Sequence, residues 1–216
     1  MKFRIHRKGF STVELLVAMA ISGVVMAAIY SAYYSQQKSY NTQDLIVAMQ
    51  QNLRAAMFHM EREIRMAGYD PTGGAGAGIV SASANSINVT MDITDDPGTA
   101  PDGDGDILDS NEDVTFALYT AGGIQKLGRN SQAVAENIDA LNFVYLDENG
   151  NVIASLSDIK SVQITLVART SRGDQGYTNT TEYRNQQDTP IYTAPGDSFR
   201  RRQLMVEVRC RNLGLQ

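Results

Sequence analysis

The feature that most constrains this chain is a long apolar segment that directly follows a short basic leader. The leader, MKFRIHRKG, carries four basic residues, and Glu14 is the only charged side chain across Phe10–Tyr34. As a helix, these 25 residues span about 37 Å, which is enough to cross a bilayer with some tilt. A carboxylate in such a segment is costly and needs a partner. The segment therefore predicts a membrane anchor with a functional carboxylate near its start.

The apolar segment is expected to stay in the mature protein. A secretory signal peptide has a small-residue cleavage site after its apolar region. Here the small residue, Gly9, precedes the apolar region, and no such site follows it. The basic leader places the N-terminus in the cytoplasm by the positive-inside rule. The chain after Tyr34 is then predicted to lie outside the inner membrane.

The junction between leader and apolar segment resembles the class III signal of type IV prepilins and type II secretion pseudopilins. Gly9–Glu14 reads GFSTVE and leads into an uninterrupted apolar run. The resemblance implies that the prepilin peptidase removes residues 1–9 by cutting after Gly9, and that Phe10 becomes the N-methylated N-terminus. It also implies that Glu14 meets the free amine of a neighbouring subunit's first residue. The alternative is a plain single-span anchor with Glu14 at the headgroup level.

The helical pattern continues beyond the anchor. Gly68 and then Pro71 are typical of a helix end, and no proline interrupts the chain from Phe10 to Asp70. We therefore predict one helix over residues 10–67, with 10–34 in the membrane and the remainder packed on a head formed by residues 68–216. The apolar side chains that recur at steps of three and four are Leu45, Met49, Leu53, Met57, Met60 and Ile64.

The head is predicted to be rich in β-strands. Alternating apolar and polar residues and short connections favour antiparallel pairing, because no connection holds a crossover helix. Asp147–Gly150 is expected to form a hairpin turn. The predicted fold class is therefore α+β, a long N-terminal helix packed on an antiparallel, sheet-rich head. The candidate strands are 78–82, 86–92, 113–120, 124–128, 140–146, 152–154, 159–169 and 203–212.

Several segments between or beside these strands carry separate expectations. The glycine-rich segment 73–78 is expected to be a flexible link, and 171–202 a long polar loop with a short hairpin around 177–192. Arg200–Arg202 is expected to be a solvated run. Alternation in the last strand predicts a buried thiol at Cys210, the single cysteine, with an intermolecular disulfide or a reactive thiol as the alternatives.

Short motifs in the head resemble the PilW-type minor pilins, which are relatives of the J-type minor pseudopilin of type II secretion. They are RMAGYDP at 65–71, an acidic run before Val114, AENIDALNFVY at 135–145 and VRCRNL at 208–213. The resemblance implies a scarce subunit that forms an initiation complex with other minor pilins at the filament tip. It also implies contact with the inner-membrane assembly platform, residence in the inner membrane before assembly, and a place in the pilus at the cell surface afterwards.

The acidic segment Asp102–Asp113 has a composition suited to calcium. Calcium prefers six to eight oxygen ligands, and Asp102, Asp104 and Asp106 have the spacing of the first three ligands of a calcium loop. Asp113 falls at the last ligand position, where a bidentate Glu is usual, and Ile107 replaces the turn glycine. A calcium site and a solvated acidic loop both remain open.

Composition and motifs argue against an enzyme and against a nucleic-acid-binding protein. Removing the leader lowers the formal net charge from −5 to −9, whereas nucleic-acid binding calls for a basic surface. One histidine remains after residue 9, and HExxH, CxxC and Ser-His-Asp patterns are absent. We predict a structural minor pilin that takes part in initiating pilus assembly. The alternatives are a minor pseudopilin of type II secretion, a major pilin, and a tip adhesin that binds through residues 171–202.

Overall fold

The computed structural model describes residues 9–93 and 103–213, which form one long helix, ten strands and one short 3₁₀ helix. The long helix, α1, runs over Thr12–Met66, and the 3₁₀ helix over Leu156–Asp158. The chain divides into two compact units within α1, one ending at Asp44 and the other beginning at Leu45. The strands are β1 (Ile79–Ala82), β2 (Ser86–Thr90), β3 (Asp113–Ala121), β4 (Ile124–Arg129), β5 (Gln132–Glu136), β6 (Ile138–Leu146), β7 (Ser161–Arg169), β8 (Glu182–Arg184), β9 (Pro190–Thr193) and β10 (Arg201–Arg209).

Glycine fixes the C-terminal end of α1. Gly68 has φ of +79°, and a Cβ placed there would lie 2.7 Å from Leu213 Cδ2. The Gly68 N–H donates to the Thr90 carbonyl at 3.0 Å, and the Asn212 side chain donates to the Met66 carbonyl at 3.4 Å. The end of the helix is thus joined to β2 and to the C-terminal segment. Two of the motifs noted in the sequence, at 65–71 and 208–213, therefore meet in space.

Two antiparallel sheets in the second unit share a core with α1. The first sheet has the order β1-β2-β3-β4-β5, and the second has the order β10-β7-β6. The apolar stripe predicted for the helix is buried against both sheets from Met49 to Ile64, as periodicity requires, whereas Leu45 is half-buried. The predicted α+β fold, a long helix packed on antiparallel sheets, is confirmed. Core side chains include Met49, Leu53, Met57, Met60, Ile64, Phe116, Leu127, Ile164 and Leu166.

Strand β7 is buried on both faces, because residues 171–200 form a second layer over its sheet. Val162, Ile164 and Leu166 belong to the core beneath α1. On the other face, Val167 packs in a cluster with Ala140, Tyr183 and Ala194 that includes both strands of the β8–β9 hairpin. The expected short hairpin is therefore present, but the segment around it covers the sheet and is not a free loop. We call residues 171–200 the cover segment.

The strand predictions differ from the structure at two places. β5 has no counterpart in the prediction, because it is an edge strand with one buried residue, Ala135, and so carries no clear alternation. Residues 152–154 do not form a strand, and Val152 makes a single antiparallel bridge to Leu146. The predicted turn before it is present, with Gly150 at φ of +81° and its N–H donating to the Asp147 carbonyl at 3.2 Å.

Cys210 is buried directly after β10, with 3% of its surface exposed. Burial raises the pKa of the Cys210 thiol to about 12, so the thiol stays protonated at neutral pH. The predicted buried thiol is confirmed. A reactive thiolate requires an exposed, electropositive setting, which this position does not have.

Candidate assembly site

The N-terminus of α1 is capped by side chains of its own first turn. Ser11 lies just before the first helical residue, and its Oγ accepts the Val13 N–H at 3.3 Å. The Glu14 side chain turns back, so that its Oε2 accepts the Ser11 N–H at 2.9 Å. This arrangement resembles a capping box, except that the serine hydroxyl accepts the second and not the third helical N–H, and it satisfies N–H groups that the first helical turn leaves open. It places Glu14 in the first turn, three residues after the cap.

The first unit presents an apolar surface with this one carboxylate near its start. Phe10 is 91% exposed, and the apolar side chains that follow it are all exposed in the chain by itself. The helix contains a segment long and apolar enough to cross a membrane, by length and composition. An exposed apolar surface of this kind needs lipid or other helices around it.

The capping box changes the electrostatic argument for Glu14. From the sequence, its carboxylate has no cation within reach in its own chain, so its partner is expected in another molecule. In residues 9–93 and 103–213 no ion pair with Glu14 is present, but the Ser11 N–H donates to it. A charge-assisted hydrogen bond and the positive end of the helix dipole thus stabilise the carboxylate within the chain.

Among the described residues, the structure does not bring Asp104, Asp106 and Asp113 together around one point. Asp102 lies outside the described residues. Asp104 Oδ1 accepts the Asp106 N–H at 3.1 Å, and Asp106 Oδ1 accepts the Leu108 N–H at 2.8 Å, so both acids bond within their own loop. Asp113 instead accepts the side-chain amide of Asn88 on β2. Among the described residues, no group of three or more acidic, histidine or cysteine side chains could hold a metal. The calcium site stays a prediction.

A buried carboxylate that the sequence analysis did not single out organises this acidic loop. Asp92 is fully buried and accepts the N–H groups of Asp104 and Gly105, both at 3.1 Å. A Cβ on Gly103, which has φ of +83°, would lie 2.2 Å from Asp92 Oδ1. Burial, with repulsion from Glu112, raises the pKa of Asp92 above its ordinary value despite these hydrogen bonds. The glycines of the acidic run therefore allow the backbone to approach a buried acid.

The glycine-rich segment after α1 is also organised by an acid. Asp70 accepts the N–H groups of Gly73, Ala75 and Gly76 at 2.7, 3.0 and 3.2 Å. Burial raises the pKa of Asp70, but these bonds and one from Thr72 outweigh it and leave the pKa below its ordinary value. The expected flexible link is instead a turn wrapped around Asp70. An Asp followed by glycines is a typical turn signal and could have predicted it.

The expectation of a solvated arginine run at 200–202 is wrong for Arg201. Its side chain is 0% exposed, and its Nε lies 2.5 Å from Asp139 Oδ2. Its two terminal nitrogens each donate to Asp197 at 2.6 Å. Arg200 pairs with Asp174 at 2.7 Å, whereas Arg202 is exposed. Arg201 lies on the face of β10 that meets the cover segment, so its charge is neutralised inside the protein.

If the four candidate acids do converge on one ion, we expect calcium to stabilise the head by binding the folded state. The melting temperature of a soluble fragment beginning at Gln36 should then rise in millimolar calcium and fall back with chelator. Asp104→Ala should remove most of the response, and Glu148→Ala, which removes an exposed acid from a different turn, should not. An unchanged melting curve with calcium and with chelator would leave a solvated acidic loop.

Two family models match the chain. Residues 107–212 match the family described as Type IV Pilus-assembly protein W, and residues 4–30 match the prokaryotic N-terminal methylation motif. Four chains of known structure are similar, among them a type IV-like pilin from Thermus thermophilus. That protein is 16% identical, with a TM-score of 0.49, and the match covers 76% of this chain and 98% of that one. No curated protein sequence matches.

The methylation motif at the start of an apolar helix, together with a head of antiparallel sheets, indicates a type IV pilin-family protein, and the apolar helix fits a membrane anchor. The match over β3–β10, with the residues directly before β3, is to the PilW family. The chain therefore belongs to the type IV pilin family, and most of its head matches the PilW family model. These families are structural and not enzymatic.

Proposed function

We propose that this chain is a minor pilin that takes part in initiating type IV pilus assembly at the filament tip. The observation that carries the proposal is an exposed apolar helix with one capped carboxylate, Glu14, joined to a PilW-type head. Such a helix can pack in a bundle of similar helices, and a head of this kind can lie at the end of that bundle. The partners are other minor and major pilins, which pack along the N-terminal helix.

The proposed path begins in the inner membrane, with the N-terminus in the cytoplasm and the head in the periplasm. The basic leader supports this orientation through the positive-inside rule. The prepilin peptidase would cleave after Gly9 and methylate Phe10, and the inner-membrane assembly platform would move the subunit into the pilus. No nucleic acid is expected as a partner, because the head is acidic.

A minor pseudopilin of a type II secretion system is the second candidate, because the signal at Gly9–Glu14 resembles those of both systems. A tip adhesin is compatible with the first proposal. Its recognition surface would have to use exposed side chains of the cover segment, because the buried ones stabilise the three-stranded sheet.

Deletion of the gene for this chain should distinguish pilus assembly from type II secretion. We expect a deletion strain to carry fewer pili per cell with an unchanged cellular level of major pilin, because initiation and not supply is removed. Electron microscopy and immunoblotting measure the two quantities, and the wild-type gene should restore pilus number. Normal pili with lost protein secretion would favour the pseudopilin. Normal pili and normal secretion would contradict both assembly functions.

Processing provides a direct test of the prepilin assignment. We expect the mature chain to begin at Phe10 and to carry one N-methyl group, because Gly9 lacks a Cβ that would crowd the peptidase. Intact mass of protein extracted from membranes measures both changes, and Gly9→Val should retain the leader. A retained leader in the wild type, or cleavage after residue 30, would contradict the assignment.

A further inference from the structure

One face of α1 carries three tyrosines where the apolar segment ends. Tyr30, Tyr33 and Tyr34 are 70, 63 and 65% exposed. At 3.6 residues per turn, the three rings project within an arc of about 100°. Their hydroxyl groups have no hydrogen-bond partner in residues 9–93 and 103–213. We call these three residues the tyrosine face, which has apolar rings and polar tips that the chain itself does not cover.

We propose that the tyrosine face binds the boundary between hydrocarbon and headgroups in the periplasmic leaflet of the inner membrane, and so fixes the depth of α1. The inference rests on the proposed function, which places the start of α1 in that membrane before assembly. Tyrosine is enriched at membrane–water interfaces, because its ring is apolar and its hydroxyl can donate to headgroups or water. The partner of this face is therefore a lipid surface.

The position of the tyrosine face along α1 matches the thickness of a bilayer. From Thr12, the first residue of the helix, the rise is about 27 Å to Tyr30 and about 33 Å to Tyr34. The hydrocarbon core of a bilayer is about 30 Å thick. The composition changes at the same place, because Tyr40 is the only apolar residue in 35–44. The tyrosine face thus lies one hydrocarbon thickness from the helix start, where an apolar sequence gives way to a polar one.

The opposite face of the same turns favours lipid over another helix as the occupant of the tyrosine face. Helices in membranes approach most closely through small side chains. A neighbouring helix would therefore pack on the small face, and three large rings would hold it away from the tyrosine face. The small side chains, which recur at steps of three and four roughly opposite the tyrosines, are Ala28, Ser31, Ala32 and Ser35.

A fixed depth decides which residues of neighbouring anchors lie side by side before assembly. Without interfacial side chains, an apolar segment of about 37 Å is longer than the hydrocarbon core, and it can shift or tilt. The tyrosine face limits the strictly apolar part to residues 10–29, about 30 Å of helix, which matches the core.

The test measures the depth of a spin label in the full chain, reconstituted in vesicles of phosphatidylethanolamine and phosphatidylglycerol. The label is attached through Gln36→Cys, and its depth follows from its relative contact with oxygen and with a water-soluble nickel complex. Cys210 is buried, and the chain without Gln36→Cys is the labelling blank. The triple leucine variant, Tyr30→Leu with Tyr33→Leu and Tyr34→Leu, keeps the apolar bulk and loses the hydroxyls. We expect it to move the label about 6 Å toward the bilayer centre, which is the rise over the four residues of the tyrosine face.

Two controls show whether the shift belongs to the tyrosine face. The triple tryptophan variant, Tyr30→Trp with Tyr33→Trp and Tyr34→Trp, should keep the wild-type depth, because tryptophan also favours the interface. Tyr40→Leu makes the leucine change about 9 Å beyond Tyr34, in the polar part of the helix, and should also keep it. Wild-type depth in the triple leucine variant, or an equal shift in either control, would overturn the role of the tyrosine face and leave the proposed function standing. If the wild-type chain does not bind the vesicles and its label stays in bulk water, the membrane anchor fails, and the proposed function fails with it.

Discussion

Replacing Glu14 by alanine should leave the chain inserted and cleaved but remove most of its association with other pilins. The carboxylate costs ~2.5–3.5 kcal/mol at mid-depth in a bilayer, so its loss does not hinder insertion. In the assembled state, the substitution leaves a neighbouring amine without its counter-ion in a medium of low dielectric constant. Breaking a buried ion pair by removing one partner costs ~3–5 kcal/mol, which corresponds to a loss of association of at least roughly 100-fold.

An isosteric substitution separates the charge from the cap. The amide oxygen of Glu14→Gln can still accept the Ser11 N–H, so the helix start is kept while the negative charge is lost. We expect Glu14→Gln to be cleaved and methylated normally and to associate as poorly as Glu14→Ala. Intact mass measures processing, and co-purification with other pilins measures association. If both variants are processed and assemble at the wild-type level, Glu14 is only an interfacial residue.

The parts of the fold that follow from local periodicity could be predicted from the sequence. The stripe from Met49 to Ile64 repeats at helical spacing, and β7 alternates polar and apolar residues from Ser161 to Leu166, so both elements could be predicted. Gly68 and Pro71 mark the helix end for a stated physical reason. The candidate processing and assembly residues Gly9, Phe10 and Glu14 come from a motif resemblance and stay predictions. Only the structure shows that Ser11 caps the N-terminus of α1 and that its N–H donates to the Glu14 side chain.

The position of the cover segment could not be predicted, because many of its contacts are polar and join residues distant in sequence. Asn185 donates to Asn142, which is 43 residues away, and Gln187 donates to Gln163 across the face of β7. Polar side chains that bond to one another in this way are indistinguishable in sequence from solvated ones. The same holds for Arg201, whose partner Asp139 is 62 residues away.

The buried acids were missed for a related reason. A carboxylate can be buried when backbone N–H groups surround it, and that depends on loop geometry more than on neighbouring residue types. Asp92 is buried because Gly103 and Gly105 take positive φ and bring the loop backbone to it. In the sequence those glycines separate aspartates and so resemble a calcium loop.

Replacing Arg201 by methionine should cost the head ~3–5 kcal/mol of stability, a large share of the ~5–15 kcal/mol typical of a domain. The Asp139 side chain is 6% exposed, so removing Arg201 leaves a buried charge whose remaining ion-pair partner among the described residues is Arg169, 3.5 Å away. The substitution removes two ion pairs at once. The pair with Asp139 joins β10 to β6, and the pair with Asp197 joins β10 to the cover segment. Urea unfolding of a fragment that begins at Gln36 measures the change.

Arg202→Met is the matched control, because it removes the same side chain from the next, exposed position of β10, and it should change stability by less than ~0.5 kcal/mol. The Arg201 hydrogen bonds hold the pKa of Asp197 below its ordinary value of 3.8. Because the pKa of Asp197 is lower in the folded protein, the interaction contributes to the free energy of unfolding at pH values above 3.8. That contribution is lost as the pH falls through the lower pKa of the folded state. The difference in free energy of unfolding between Arg201→Met and wild type should therefore become smaller in acid.

Equal urea midpoints for Arg201→Met and Arg202→Met would mean that the buried pairs do not hold the cover segment in place. If the midpoints do differ, deleting residues 171–200 would expose the outer face of β7, so a test for adhesion must substitute exposed side chains and keep the segment.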